Sequence, residues 1–323
     1  MENSIAHQDQ ALKRITLNKK PSFFKEIRKN HLLYLLTLPG ILLLFVFSYL
    51  PMFGIVIAFQ NYNPVKGILK SEFVGFKNFQ FFLESSDVYR VVFNTLFLNF
   101  LFIGFGTLAS LIIAIIFSEL KGKYFKRIAQ TIVTLPNFLS WTVVATFATS
   151  FLLYKEGLIN QILRDFGLEG LAFYNTAAYW PLILVIIKLW HAAGFGSIVY
   201  LATISGINPE IYEAASMDGA TRWGKIRHIT LPMVKPTVML LLLLAMGNIF
   251  YGDFGMIYAI VGKNALLYPT TDVIDTYVYR ALVDLGNVSM AASVGLIQSI
   301  VGFVLVVTVN QLARKFSPDS ALF

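Results

Sequence analysis

The sequence predicts an all-α membrane protein with six transmembrane helices and both termini in the cytoplasm. Composition is the first reason: 56% of the 323 residues are hydrophobic and only 14% are charged, against about 25% charged in soluble domains. The second is a set of six apolar stretches, each long enough to cross about 30 Å of hydrocarbon at about 1.5 Å per residue. The third is the uneven placing of Lys and Arg, since positive charge collects on the cytoplasmic side.

Residues 1–30 form a polar, basic tail. Within it Phe23, Phe24 and Ile27 are set against Lys25, Arg28 and Lys29, the pattern of a short helix lying at the inner membrane surface. A transmembrane domain follows, over residues 31–323. Its first span, near 32–58, is far longer than the roughly 7 to 15 residues of a signal-peptide core, which predicts a retained signal anchor. Pro39, Gly40, Pro51 and Gly54 lie inside it. The next spans are placed near 91–118, 128–153, 178–204, 236–260 and 289–312. Gly104 and Gly106 fall in the second and Gly194 and Gly196 in the fourth, where glycine lets helices kink or approach closely.

With the N-terminus inside, the cytoplasmic segments hold seventeen Lys and Arg, the external segments eight, and Lys188 is left within the fourth span. The net charge of +8 is therefore a topological signal rather than a nucleic-acid one. External connections of about 30, 25 and 28 residues are too short for a folded solute-binding domain, so capture of solute belongs to another protein.

Enzyme chemistry finds little support. The chain has no cysteine, which excludes disulfides, thiol catalysis and thiolate metal sites. Gly122-Lys123 and Gly262-Lys263 lack the earlier glycine and the following hydroxyl of a nucleotide-binding loop. His7, His31, His191 and His228 show no metal-ligand spacing. Asp272 and Asp275 fall in an external loop and are expected to make a solvated face.

Polar groups inside spans are costly and face a cavity or a partner. Lys188, His191, Asn248, Tyr251 and Asp253 are the clearest cases. Lys188 and His191 share a face of the fourth span, being three residues apart. Asn248, Tyr251 and Asp253 interrupt the outer half of the fifth. Two readings stay open: these residues line a solute path, or Lys188 and Asp253 form a structural ion pair. In the first reading a fixed cation would suit an acidic oligosaccharide.

The segment 205–232 is polar and wedged between two long spans. Asn208 can cap a helix that starts at Pro209, and Asp218-Gly219 gives a stop signal. The short helix between carries Glu210, Glu213 and Met217 at three- and four-residue spacing beside Ala214-Ala215, so another protein's backbone can come close to a presented charge. A plain interfacial helix is the alternative.

The order Glu213-Ala214-Ala215, Asp218-Gly219-Ala220, Ile229, Leu231-Pro232 resembles the cytoplasmic coupling loop of permease subunits of binding-protein-dependent ABC importers. Further segments resemble the oligosaccharide and polysaccharide, aldouronate-type branch of that family: Tyr49-Leu-Pro51, Ala58-Phe59, Phe73-Val-Gly75, Asn78, Asn94-Thr95, Leu135-Pro136, Ser140-Trp141, Gly157-Leu-Ile-Asn160 and Thr270 to Tyr277. The resemblance implies the type I importer permease fold, with Glu210, Glu213, Ala214, Ala215, Met217, Asp218 and Gly219 seated on an ATPase subunit. It also implies a second, related permease, two ATPase subunits that bind the ATP and magnesium, an external lipid-tethered binding protein, and an oligosaccharide as cargo in a bacterial inner membrane. Asn248 falls where the maltose permease of the superfamily has a sugar-contacting Asn, and Tyr251 near a second such position where that protein has Asn. No cofactor is expected in this chain. The rival functions are a self-sufficient secondary carrier or channel, for which no inverted repeat is visible, and a membrane-bound glycan- or lipid-modifying enzyme.

Overall fold

The computed structural model describes residues 29–316, so the expected interfacial helix at 22–30 lies almost wholly outside the described residues. The chain divides into two compact units, residues 1–55 and 56–323.

Helix α1, His31–Phe59, supplies the described part of the first unit and runs four residues into the second. It is α-helical to Leu44, passes through a π-turn at Phe45–Tyr49, and continues as a 3₁₀ helix from Leu50. The wide turn falls just before Pro51, whose ring and missing N–H a regular α-helix does not accommodate.

The second unit opens on a two-stranded antiparallel ribbon, β1 Gln60–Asn61 and β2 Glu72–Phe73. The Asn78 amide ties it down, donating to the carbonyls of Ala58 and Gln60 at 2.9 and 3.0 Å. The helices that follow are α2 Lys77–Leu83, α3 Asp87–Glu119, α4 Lys123–Thr134, α5 Trp141–Leu152, α6 Leu158–Asp165 and α7 Trp180–Ser205. After them come α8 Pro209–Met217, α9 Arg222–Met246, α10 Phe254–Val261, α11 Ile274–Val283 and α12 Val288–Phe316.

Among the described residues five helices, α1, α3, α7, α9 and α12, are long and apolar enough to span a membrane, and the bent pair α4–α5 makes a sixth if it counts as one span. Two expectations need correction. The span placed at 128–153 is not one helix: α4 and α5 meet at 97° across Leu135–Ser140. Pro136 cannot continue the ladder, and Ser140 starts a new helix by accepting from the Val143 N–H. The span placed at 236–260 begins fourteen residues earlier, at Arg222, where Thr221 caps it through the Gly224 N–H. A π-turn at Ile226–Thr230 precedes Pro232 and frees the space that its ring needs, so the helix runs through both Pro232 and Pro236. That helix then ends at Met246, and Asn248 to Asp253 lie in a break rather than in the outer half of a span.

The second unit packs around α3 and α7, its most extensive helix pair. One apolar cluster joins Leu98 and Phe102 of α3 to Val144 and Ala148 of α5, Trp180 and Leu184 of α7, and Met256 and Ile257 of α10. A second joins α2, α3, α11 and α12 around Val91, Tyr277 and Val294. The third joins α3, α7 and α9 around Ala114, Tyr200 and Val234. Gly194 of α7 sits so close to α4 that a Cβ there would lie 2.0 Å from the Val133 carbonyl oxygen.

Candidate functional site

Helix α8 stands out from the second unit without a buried residue. Its ends are satisfied locally. The Asn208 side chain accepts from the Glu210 N–H at 3.1 Å, and Gly219, at φ +79°, lets the Gly219 and Ala220 N–H groups return to Ser216 and Ala215. Tyr212 and Ser216 turn toward the start of α9, where Tyr212 Oη meets Thr230 Oγ1 at 2.9 Å and Lys225 Nζ donates to Ser216 Oγ at 2.9 Å. The opposite side carries Glu210, Glu213, Ala214 and Met217, all exposed, with Met217 at 88%. Ala215 is half-buried, so the alanine pair is split between the open face and its edge. Asp218 and Gly219 are exposed at the C-terminal turn. Glu213 has no hydrogen-bond or ion-pair partner among the described residues.

The break after α9 is held by side chains from three other helices. Asn99 of α3 donates to the carbonyls of Ile249 and Tyr251 at 2.9 and 3.0 Å. Gln298 of α12 donates to the Phe250 carbonyl at 2.7 Å, and Asp275 of α11 accepts from the Gly252 N–H at 2.5 Å. Unwound backbone inside a membrane protein persists only where such partners exist. Burial raises the Asp275 carboxyl above its ordinary range, and the Gly252 N–H and the Gln298 amide pull it part of the way back.

The polar residues singled out in the spans separate into two groups. Lys188 Nζ lies 2.5 Å from Asp253 Oδ2 and 5.4 Å from the centre of the Trp141 ring. Asp253 Oδ1 also caps α10 by accepting from the Met256 N–H. His191 is buried, stacks on Trp141 with ring centres 4.0 Å apart, and meets the Leu139 carbonyl at 3.0 Å. These three join α7, the α4–α5 bend and α10. Asn248 and Tyr251 are exposed in the break.

The expected solvated face at Asp272 and Asp275 is absent, which corrects that reading. The Asp272 side chain is fully buried, bound by both Arg280 guanidinium nitrogens at 2.7 and 2.8 Å and by Arg90 at 3.2 Å. Asn94 reaches the carbonyls of Tyr268, Pro269 and Asp272, and Asn160 those of Leu153 and Leu171. The polar residues of those quoted segments are thus fasteners of irregular backbone. Sequence reasoning missed Asn99 and Gln298; a lone amide in an apolar span is the only signal that they gave.

A broken-helix membrane domain with an exposed acidic helix between two spans is the architecture of an importer permease. The chain belongs to the family described as binding-protein-dependent transport system inner membrane component, whose model matches residues 106–318. It is 36% identical to Protein LplB of Bacillus subtilis, over 94% of this chain and 95% of that one. It is also 36% identical to the polygalacturonan/rhamnogalacturonan transport system permease protein YteP of the same organism, over 93% of each. Among solved structures it resembles a chain of a bacterial alginate ABC transporter in complex with an alginate pentasaccharide-bound periplasmic protein. That match has a TM-score of 0.83 and 35% identity, and covers 91% of this chain and 98% of the other. The protein is accordingly a multi-pass inner-membrane permease of the ABC importer fold and not an enzyme; in such importers partner ATPase subunits hydrolyse ATP.

Proposed function

We propose that this chain forms half of the translocation path of an oligosaccharide importer, with a second permease as the other half. The observation that carries the coupling part is α8: an exposed acidic face with Glu213 unpaired, on a helix pinned to α9 through Tyr212 and Lys225. On this reading Glu210, Glu213, Ala214 and Met217 enter a cleft of an ATPase subunit, with Ala215, Asp218 and Gly219 shaping the edge and the turn. Two such subunits bind ATP and magnesium, and their closure moves α8 and α9 as one lever. The lever ends at the break, so its motion reaches Asn248 and Tyr251, which face the solute. Lys188 and Asp253 act as a strut beside the path, and His191 holds the α4–α5 bend against α7. Both termini and α8 lie on the cytoplasmic side, as the seventeen-to-eight charge bias supports.

The polygalacturonan/rhamnogalacturonan transport of YteP and the alginate pentasaccharide on the alginate transporter's periplasmic protein support an oligosaccharide as the cargo class. An external, lipid-tethered binding protein delivers it. ATP binding by the partners shifts the equilibrium between outward- and inward-facing states, and the chain itself makes or breaks no bond.

The test is reconstitution. The permease, purified from its native membrane with its co-purifying partners and the binding protein, should take up labelled oligosaccharide into proteoliposomes only when Mg·ATP reaches the ATPases. Uptake by this chain without ATPase subunits would make it a secondary carrier or channel and refute the proposal.

A further inference from the structure

Helix α5 has two unlike sides. One borders a hollow of about 520 Å³ lined by apolar and aromatic side chains alone, among them Phe147, Phe151, Ile186 and Trp190, with no polar group to orient a solute. The other borders a cleft of about 530 Å³ against α10, where Thr142, Thr146, Thr149, Ser150, Glu156 and Ala259 meet. The four hydroxyl residues are spaced by four, three and one, which places them along one face of the helix.

Three of these hydroxyls have committed their protons. Thr146 donates to the Thr142 carbonyl at 3.1 Å, Thr149 to Ala145 at 2.8 Å, and Ser150 to Thr146 at 3.0 Å. Each oxygen therefore turns lone pairs, not a proton, to its surroundings. Thr142, Thr146 and Ser150 are exposed, and Glu156 adds a carboxylate at the end of the row. Thr146 and Ser150 thus present acceptors, while Thr142, whose hydroxyl has no acceptor among the described residues, can also donate, and the row suits a ligand rich in hydroxyls, which both donate and accept.

The facing helix sets the width of the cleft. Gly255 of α10 packs on Trp141 and Ala259 lines the cleft, both small enough to keep α5 and α10 close. About a quarter turn round α10 stand Phe254 and Tyr258. They stack with ring centres 5.1 Å apart, and Tyr279 of α11 lies 5.0 and 4.7 Å from them. These rings pack on one another outside the lining of the cleft, and a sugar ring meets the hydroxyl row with the hydroxyls round its own edge.

We propose that the α5–α10 cleft is a saccharide subsite, distinct from Asn248 and Tyr251, which holds the uncharged hydroxyl edge of the cargo. The proposal rests on the oligosaccharide reading above. It also assigns the orientation of an acidic cargo: carboxylates point away from α5, because Glu156 and the lone pairs of Thr146 and Ser150 repel them and the Lys188 ammonium is already taken by Asp253.

The test uses the complete importer in proteoliposomes, with the binding protein supplied in excess. Short oligogalacturonides, alginate fragments and neutral maltooligosaccharides serve as parallel probes. Wild-type protein must first show ATP-dependent uptake of one of them; if it takes up none, the oligosaccharide reading itself has failed. With the probe that is carried, the isosteric triple variant Thr142→Val, Thr146→Val, Ser150→Ala should raise the half-saturating concentration of loaded binding protein, or lower the maximal rate, by about tenfold for three lost hydrogen bonds. Thr142→Ser with Thr146→Ser should transport as wild type. Co-purification of the partners and basal ATPase activity should not change in any of them. Normal transport by the triple variant overturns the subsite. Loss of the second permease from the purified complex overturns it as well, because the hydroxyl row is then a contact between subunits.

Discussion

Replacing Lys188 by Met should destabilise the protein, and replacing Asp253 at the same time should restore most of the loss. At 2.5 Å the pair has a gross attraction of about 7 kcal/mol for an effective dielectric constant near 20, most of which desolvation cancels. What matters is the charge left behind. Breaking a fully buried pair costs about 3 to 5 kcal/mol. Here the side chains keep 28% and 22% exposure, so water compensates in part and about 2 to 3 kcal/mol is expected for Lys188→Met. The partner change should be Asp253→Asn rather than Leu, because Asn keeps an oxygen for the Met256 N–H and the cap is not lost as well. Asp253→Asn alone should cost less, about 1 to 2 kcal/mol, since the ammonium still lies over Trp141. The double variant should lie within about 1 kcal/mol of wild type, a coupling of at least about 2 kcal/mol, and should transport. Thermal melting of the detergent-solubilised protein resolves this, at about 2 to 4 °C per kcal/mol. Additive losses, with a coupling under about 0.5 kcal/mol, would refute the strut.

Four further outcomes follow from the geometry. Glu213→Lys and Ala214→Trp change only exposed groups, so stability should stay within about 0.5 kcal/mol while ATP-driven uptake and substrate-stimulated ATP hydrolysis disappear; normal uptake by either would remove α8 from the coupling path. Gly194→Ala must push Val133 away and should cost about 1 to 3 kcal/mol, read as lost melting temperature, whereas Gly104→Ala meets no atom within 4 Å and should be neutral or slightly stabilising. For topology, cysteines at Lys121, Lys66 and Glu169 avoid the left-handed backbone of Gly122 and Gly67 and the crowding at Gly170; an impermeant thiol reagent should label the last two in intact cells and spare the first. Burial holds the Asp275 carboxyl above its ordinary range, so its contribution to stability is present in acid and fades as pH rises from about 4 through its raised folded value. Asp275→Asn should flatten that slope in melting curves taken across pH, and an unchanged slope would show that another group causes it.

The sequence by itself determined the class of protein and the place of the short helix α8. Hydrophobicity summed over twenty residues is a large signal, and Asn208, Pro209 and Gly219 act through their own neighbours, so α8 was legible to the residue. The first, second, fourth and sixth spans were legible for the same reason. Local rules misplaced the other two. Pro136 and Pro232 look alike as breakers, yet the first ends a helix at a 97° bend and the second rides on a π-turn, and the choice depends on what packs alongside. The polar groups lay furthest from reach. Asp272 and Asp275 sit in a polar segment where solvent is the natural partner, but Arg280 two turns along, together with Arg90, Gln298 and Gly252 from other elements, buries Asp272 and partly covers Asp275. Lys188 and Asp253 are 65 residues apart, so the sequence could name both groups and their possible pairing. Only the tertiary packing that sets Asp253, at the start of α10, beside α7 decided that they meet, because a charge in an apolar span fixes the need for a partner but not which one arrives.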